Sequence, residues 1–357
     1  MLALLLAAAL SSTQAEVPQY KMTMIPGEPL GLDREGTVLI KVGEEDYRFF
    51  RPGMSGSLTT ETWIPQRLLD DGGVLVQDEA TMEYAIWEPG RQPNVLPSDA
   101  ILGTVFTRLG KVWGNIPQEN GLRYAALIKD EGEFEPLDFP KEASTKPLGG
   151  GLSTKTAVFD AYSQYMQVGG YKSSDFRLEP VLWRDNHALE LTLPRGYDSG
   201  LGLVVNSEGT VAGVAATNSL FAYFLWPGTE FQDQEHPNLN LVMWFNRRPV
   251  ALRHPYVDLL DPPYRRSTIP HDINASGDVV GQTHTVYNGT THDRRAFAYS
   301  DGRLFDLNRS FQEEEVQIKL TNATGIADDG SILAEGVRIL GHPDEGETAY
   351  VYLQPIS

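Results

Sequence analysis

The amino-acid sequence predicts an all-β protein, a β-propeller of four-stranded antiparallel blades, on three observations. One turn signature recurs along the 357 residues, an aromatic strand follows it at a repeating distance, and no segment carries the sustained 3.6-residue apolar period of a helix. Seven units are legible, with turns near residues 36, 73, 110, 165, 209, 277 and 330. Merging the degenerate fourth unit with a neighbour would leave six, and an extra hairpin in the fifth would make eight.

The chain opens with Met1 and the apolar run Leu2 to Leu10, followed by Ser11-Ser12-Thr13-Gln14-Ala15 before Glu16. That run is far short of the ~20 residues that span a bilayer, and it has the length of a signal-peptide core ahead of a small-residue cleavage site. Residues 1–15 therefore read as a signal peptide and 16–357 as one propeller domain of an exported protein, periplasmic or extracellular. No Lys or Arg precedes Lys21, so the basic segment of such a peptide is missing. The alternatives are a start further upstream or a buried first element. Tyr20 to Ile25 is then a strand with no unit of its own, while the last unit stops after its aromatic strand, Ala349 to Leu353. The N-terminal strand is expected to complete the last blade, which removes two exposed edges.

Within the units, the signature is an Asx, two mostly polar residues and Gly. It reads Asp33-Arg34-Glu35-Gly36, Asp70-Asp71-Gly72-Gly73, Asn206-Ser207-Glu208-Gly209, Asn274-Ala275-Ser276-Gly277 and, more loosely, Ala327-Asp328-Asp329-Gly330. An Asx side chain caps a type I turn, and Gly takes the positive φ that closes the hairpin. Aromatic strands follow, such as Tyr47 to Arg51, Tyr84 to Glu88 and Arg295 to Ser300. Gly36 to Gly53 and Gly73 to Gly90 are both 17 residues apart.

The third unit, from Thr107, and the fourth, near Tyr162 to Tyr165, are degenerate. In the fifth, Phe221 to Trp226 and Leu241 to Asn246 compete for the aromatic strand. Polar, Gly-rich residues 141–157 and the stretch 215–270, with Pro255, Pro262 and Pro263, read as insertions. Fourth strands are visible as Phe134 to Leu137, Leu189 to Leu193 and Leu304 to Leu307.

The sixth unit runs from Asp272 through Asn274 and Gly277 to Gly281, followed by Arg295-Ala296-Phe297 and Asp306-Leu307. It resembles the HAF-repeat family of extracellular repeats and the exported, propeller-like bacterial proteins that carry them. The eponymous His-Ala-Phe is Arg-Ala-Phe here, and the match is partial in the second, fifth and seventh units. The resemblance implies export and a β repeat fold; it implies no reaction.

Composition removes several classes of function. With 48 Asp plus Glu against 29 Lys plus Arg, the net charge is −19, which opposes nucleic acid and anionic lipid. With no cysteine there is no disulfide framework, thiolate nucleophile or Cys-ligated zinc. No apolar segment is long enough for an integral membrane protein, and so large a charge suits a soluble monomer.

Few residues carry reactive chemistry. His271, His284 and His292, with Asp272 and Asp293 beside them, are the candidate metal ligands, since neutral imidazole suits zinc and related transition metals. The acidic turns Asp70-Asp71-Gly72 and Asp328-Asp329-Gly330 offer oxygen ligands for calcium, but they also fit ion-free turn chemistry. Trp87, Trp183, Trp226 and Trp244 recur as core positions, with sugar stacking as the alternative. Ser199 lies outside a nucleophile elbow, no phosphate loop or dinucleotide fingerprint is present, and no cofactor is identified. Asn274, Asn288, Asn308 and Asn322 begin sequons.

The expected function is a non-catalytic binding or interaction scaffold for a protein or glycan ligand. The alternative is a carbohydrate-active hydrolase or lyase with carboxylates drawn from different blades. Convergence of two carboxylates or the three histidines in one pocket, together with an exposed aromatic, favours the enzyme, and scattered positions on outer strands favour the scaffold.

Overall fold

Short β-rich runs between Asx-Gly turns leave each strand only its chain neighbour to pair with, so the chain folds as successive meanders. The structure is a computed structural model. It describes residues 17–356 except 59–61, 89–90, 97–105, 109–110, 118–122, 129–133, 139, 141–155, 164, 174, 176, 218–238, 253–264, 288–289, 312–317 and 340–345. The signal-peptide segment, the Phe221 to Trp226 run and most of both insertions lie outside the described residues.

Strand pairing groups the described strands into seven four-stranded antiparallel sheets. Numbered in chain order by their inner strand, sheets I to III span Glu28–Leu32 to Met54–Leu58, Trp63–Leu68 to Asn94–Val95 and Phe106–Arg108 to Phe134–Pro136. Sheets IV to VI span Thr156–Ser163 to His187–Glu190, Ser199–Val205 to Arg248–Ala251 and Arg265–Ile273 to Arg303–Asp306. Sheet VII joins Ile318–Ile326, Ile332–Arg338 and Thr348–Pro355 to the N-terminal strand Tyr20–Met24. That last pairing runs from Tyr20 opposite Pro355 to Met24 opposite Val351, as the unpartnered first strand implied. A 3-10 turn at Leu307–Arg309 is the helical element among the described residues, and none of these has a helix long and apolar enough to cross a membrane.

Two details differ from the sequence reading. In sheet II the turn is Leu69-Asp70-Asp71-Gly72, one residue earlier than expected: Gly72 donates to the Leu69 carbonyl at 3.0 Å and holds φ +82°. Asp71 instead accepts from the Gly73 amide, so its carboxylate stabilises the second half of the turn. In sheet IV the fourth strand is His187–Glu190, ending before Leu191. The fifth aromatic strand is Asn240–Phe245.

The core is a set of seams between adjacent sheets. Trp183 and Val158 pack with Ala125 between III and IV, Trp244 and Val205 with Leu182 between IV and V, and Leu320 and Val280 with Leu353 between VI and VII. Polar latches cross the same seams. Thr156, Ser199 and Ser267 sit buried near the start of the inner strands of IV, V and VI. Their hydroxyls accept the Ala125, Leu178 and Leu239 amides of the preceding sheet at 2.9, 2.8 and 3.3 Å.

At the opposite end, the turns form a chain of hydrogen bonds from sheet to sheet. Asn206 donates to the Asn274 carbonyl, Asn274 to the Ala327 carbonyl, the Asp328 amide to the Arg34 carbonyl and the Arg34 amide to the Asp70 carbonyl. The recurring Asx thus closes its own turn and also ties it to the next sheet.

Glycine on the second strand has a separate cause. A Cβ at Gly169, Gly213 or Gly281 would overlap the carbonyl oxygen of Ala157, Leu201 or Ile269 on the inner strand. Gly213→Ala is expected to lower stability by about 3 kcal/mol, because backbone must move to admit the methyl. Gly302→Ala, with φ +76° but nothing within 4 Å, should cost only about 1 kcal/mol. Urea midpoints measure both, and equal losses would show that close approach is not the constraint.

Candidate functional site

Each of those second-strand glycines faces the residue just before an irregularity in the inner strand. The register slips at Leu30 in sheet I, Gln66 in II, Phe159 in IV, Leu203 in V, His271 in VI and Thr324 in VII. A β-bulge leaves its extra residue outside the ladder and re-aims it. All six bulge residues line one cavity of about 620 Å3 between the inner strands of these sheets, open to solvent at Glu28, Gln66, Arg67 and Thr324.

Inner strands side by side around a common cavity, each with its meander running outward, settle the architecture. The chain is a β-propeller. No family model matches it, and no characterised protein matches it in sequence. Among solved structures it is similar to streptogramin B lyase at 12% identity and a TM-score of 0.46, over 94% of this chain and 98% of that one. Virginiamycin B lyase from Staphylococcus aureus with quinupristin gives 12% and 0.44, over 95% and 100%. The β-propeller domain of the Trilobed protease from Pyrococcus furiosus gives 10% and 0.46, over 94% and 98%.

In this propeller, two cavity carboxylates are structural. Asp160 and Asp272 follow the bulges of sheets IV and VI. Each accepts its own following amide with one oxygen, at 2.8 Å, and with the other an amide of the next sheet, Val205 or Ile326, at 2.9 Å. Each carboxylate thus ties the strand that carries it to the next sheet.

His271 projects from its bulge against sheet VII. Burial pulls its pKa below the ordinary value, partly offset by hydrogen bonds to the Ala323 backbone and the Asn322 side chain. Register separates it from His284, which lies opposite Ser267, four positions away along the inner strand and so roughly 13 Å at ~3.3 Å per residue. His292 belongs to the third strand, and its side chain lies outside the described residues. Among the described residues no three His, Asp or Glu side chains gather as a metal site.

The acidic turns serve the turn ring: Asp329 accepts from the Ser331 amide and Asp328 from the Ala275 amide. Trp183 and Trp244 are fully buried and donate to the Asp138 and Thr192 carbonyls, so neither offers a face to sugar; Trp226 lies outside the described residues. The residues behind the HAF resemblance are also structural, since Arg295 pairs with Asp306 at 2.9 Å and with Asp293, which also holds Lys319.

Residues without a sequence motif complete the site. At the turn end, the Arg34 guanidinium reaches across the axis from sheet I to lie 4.1 Å above the Tyr162 ring of sheet IV, 3.6 Å from Asp70. Below it, Glu28, Glu335 and Tyr350 line the seam between VII and I, and Arg67 stands on sheet II. Burial raises the Tyr350 pKa, reinforced by Glu335 and Glu28, so its hydroxyl stays protonated. The signal that finds the bulge residues is positional: in five sheets they lie three residues before the first turn residue, Asp33, Leu69, Asn206, Asn274 or Ala327.

Outside the cavity, burial pushes Glu179 up to about 7, with Arg177 opposing and Glu190 and Asp175 reinforcing. The folded state then holds a proton that the unfolded state releases from about pH 4.5, so stability falls as pH rises towards 7. Glu179→Gln should remove this loss, gaining about 1 kcal/mol at pH 8 after allowance for solvent screening and nothing at pH 4. Melting curves at the two pH values check it; an equal gain at both would assign the effect to packing.

Proposed function

We propose that this chain is an exported, monomeric, seven-bladed propeller that binds a small ligand in its central cavity without transforming it. The observation that carries this reading is the convergence of bulge residues from six inner strands on one cavity. About 620 Å3 lies within the ~300–1,000 Å3 usual for small-molecule sites, and the lining mixes Leu30, Phe159 and Leu203 with Gln66, His271 and Thr324. The exposed large apolar residues, such as Met82, Val95, Tyr165 and Ile356, are scattered over several sheets, which supports a monomer.

Export rests on the apolar run Leu2 to Leu10 with the small-residue site ending at Ala15, and on the resemblance of the sixth unit to extracellular HAF repeats. N-terminal sequencing of the protein recovered outside the cytoplasm should start at Glu16; an intact Met1 would remove this part of the reading.

Binding is tested by thermal shift with mono- and disaccharides and short peptides. A ligand at a hundred times its dissociation constant stabilises the folded state by about 2.7 kcal/mol. At least one should raise the melting temperature of the native protein and none that of Thr324→Trp, whose indole obstructs the cavity beside the bulges. Identical responses would place binding elsewhere. The hydrolase reading draws on Glu28 and Glu335, two carboxylates of one cavity. Release of product from those saccharides, lost in Glu335→Gln, would establish it instead.

A further inference from the structure

The cavity holds ionisable groups in two conditions. Asp160 and Asp272 are taken up by backbone amides, and Asp70 lies beside Arg34. Burial favours neutral His271. Arg67, Glu28 and Glu335 differ: among the described residues none of these three side chains makes a hydrogen bond or ion pair, although all three line the same space. Both signs of charge are therefore presented, on different sheets, without neutralising each other.

Their separation is set by strand register. A Cβ at Gly31 would come 2.8 Å from the Leu68 carbonyl, so Arg67 stands near the level of Gly31. Glu28 lies three residues before Gly31, about 10 Å along the strand, with Glu335 across the seam beside Tyr350. Phe159 and Leu203 form an apolar wall on sheets IV and V. An extended chain advances ~3.3–3.6 Å per residue, so a peptide of two or three residues spans this distance.

Building on the ligand-binding reading above, we propose that the cavity takes a short apolar peptide with both ends free. Its carboxylate meets Arg67, its ammonium lies between Glu28 and Glu335 beside the Tyr350 hydroxyl, and its side chains lie on Phe159 and Leu203.

The test is calorimetric titration of the full chain with three probes: leucyl-phenylalanine, its N-acetyl derivative and its C-terminal amide. The free dipeptide should bind, and each capped form should bind roughly ten- to a hundredfold more weakly, the range for a charge-assisted hydrogen bond. Arg67→Gln should erase the difference between the dipeptide and its amide while keeping that with the acetylated form; Glu28→Gln with Glu335→Gln should do the reverse. General loss of folding would not produce these opposite selectivities.

Capped forms that bind as well as the parent would overturn the proposal. So would failure of the dipeptide while another compound shows binding blocked by Thr324→Trp, an outcome that leaves the cavity reading intact. If Thr324→Trp changes no response to any compound, both readings fall.

Discussion

A chain lacking residues 1–24 is expected to be less stable than the full-length protein by about 4 kcal/mol and to self-associate. The strand Tyr20–Met24 is the fourth strand of sheet VII, with Tyr20 buried and Met22 packed on the same cluster as Leu353 and Val351. Burial of two such side chains contributes about 3–6 kcal/mol. The Tyr20 amide also donates at 2.9 Å to the carbonyl of Ser310, just beyond the last strand of sheet VI. Removing the strand opens the edge of Thr348–Pro355, a template for pairing with another copy. Urea unfolding and gel filtration read both effects, and a peptide of residues 17–26 added in trans should restore part of the stability. Equal midpoints for the two chains would mean that the propeller closes without this strand.

Trp244→Ala is expected to lower stability by about 4 kcal/mol, within the range for deletion of a buried aromatic side chain. Trp244 is fully buried against Val205, Val211 and Val242, and its indole donates to the Thr192 carbonyl at 2.7 Å. Trp244→Phe keeps most of the burial but leaves that carbonyl unpaired, so a loss of about 1–2 kcal/mol is expected. For a domain of this size each kcal/mol corresponds to about 1–2 °C in melting temperature. A Trp244→Ala protein melting with the wild type would free the residue for another role.

The two variants separate what the sequence exposes from what it hides. The strand pattern is legible because each Asx-Gly turn states its hairpin locally, and the lone strand at Tyr20 has its missing partner at the other end of the chain. Sheet II is misread by one residue because Asp70-Asp71-Gly72-Gly73 satisfies the turn pattern in two frames, and only the positive φ of Gly72 decides.

The cavity is harder to read. A bulge is a fault in pairing and not a preference for a residue type, so Leu30, Gln66, Phe159, Leu203, His271 and Thr324 share no chemistry. Arg67, Glu28 and Glu335 become neighbours only when the sheets are set in a ring. The histidines stand out by type, yet register parts His271 from His284.

The guanidinium of Arg34 rests 4.1 Å above the Tyr162 ring, so a side chain of sheet I reaches sheet IV, which is not its neighbour in the chain. Among the described residues these two sheets share no hydrophobic cluster, and this cation–π contact acts as a strut between blades that are otherwise joined only through the sheets between them.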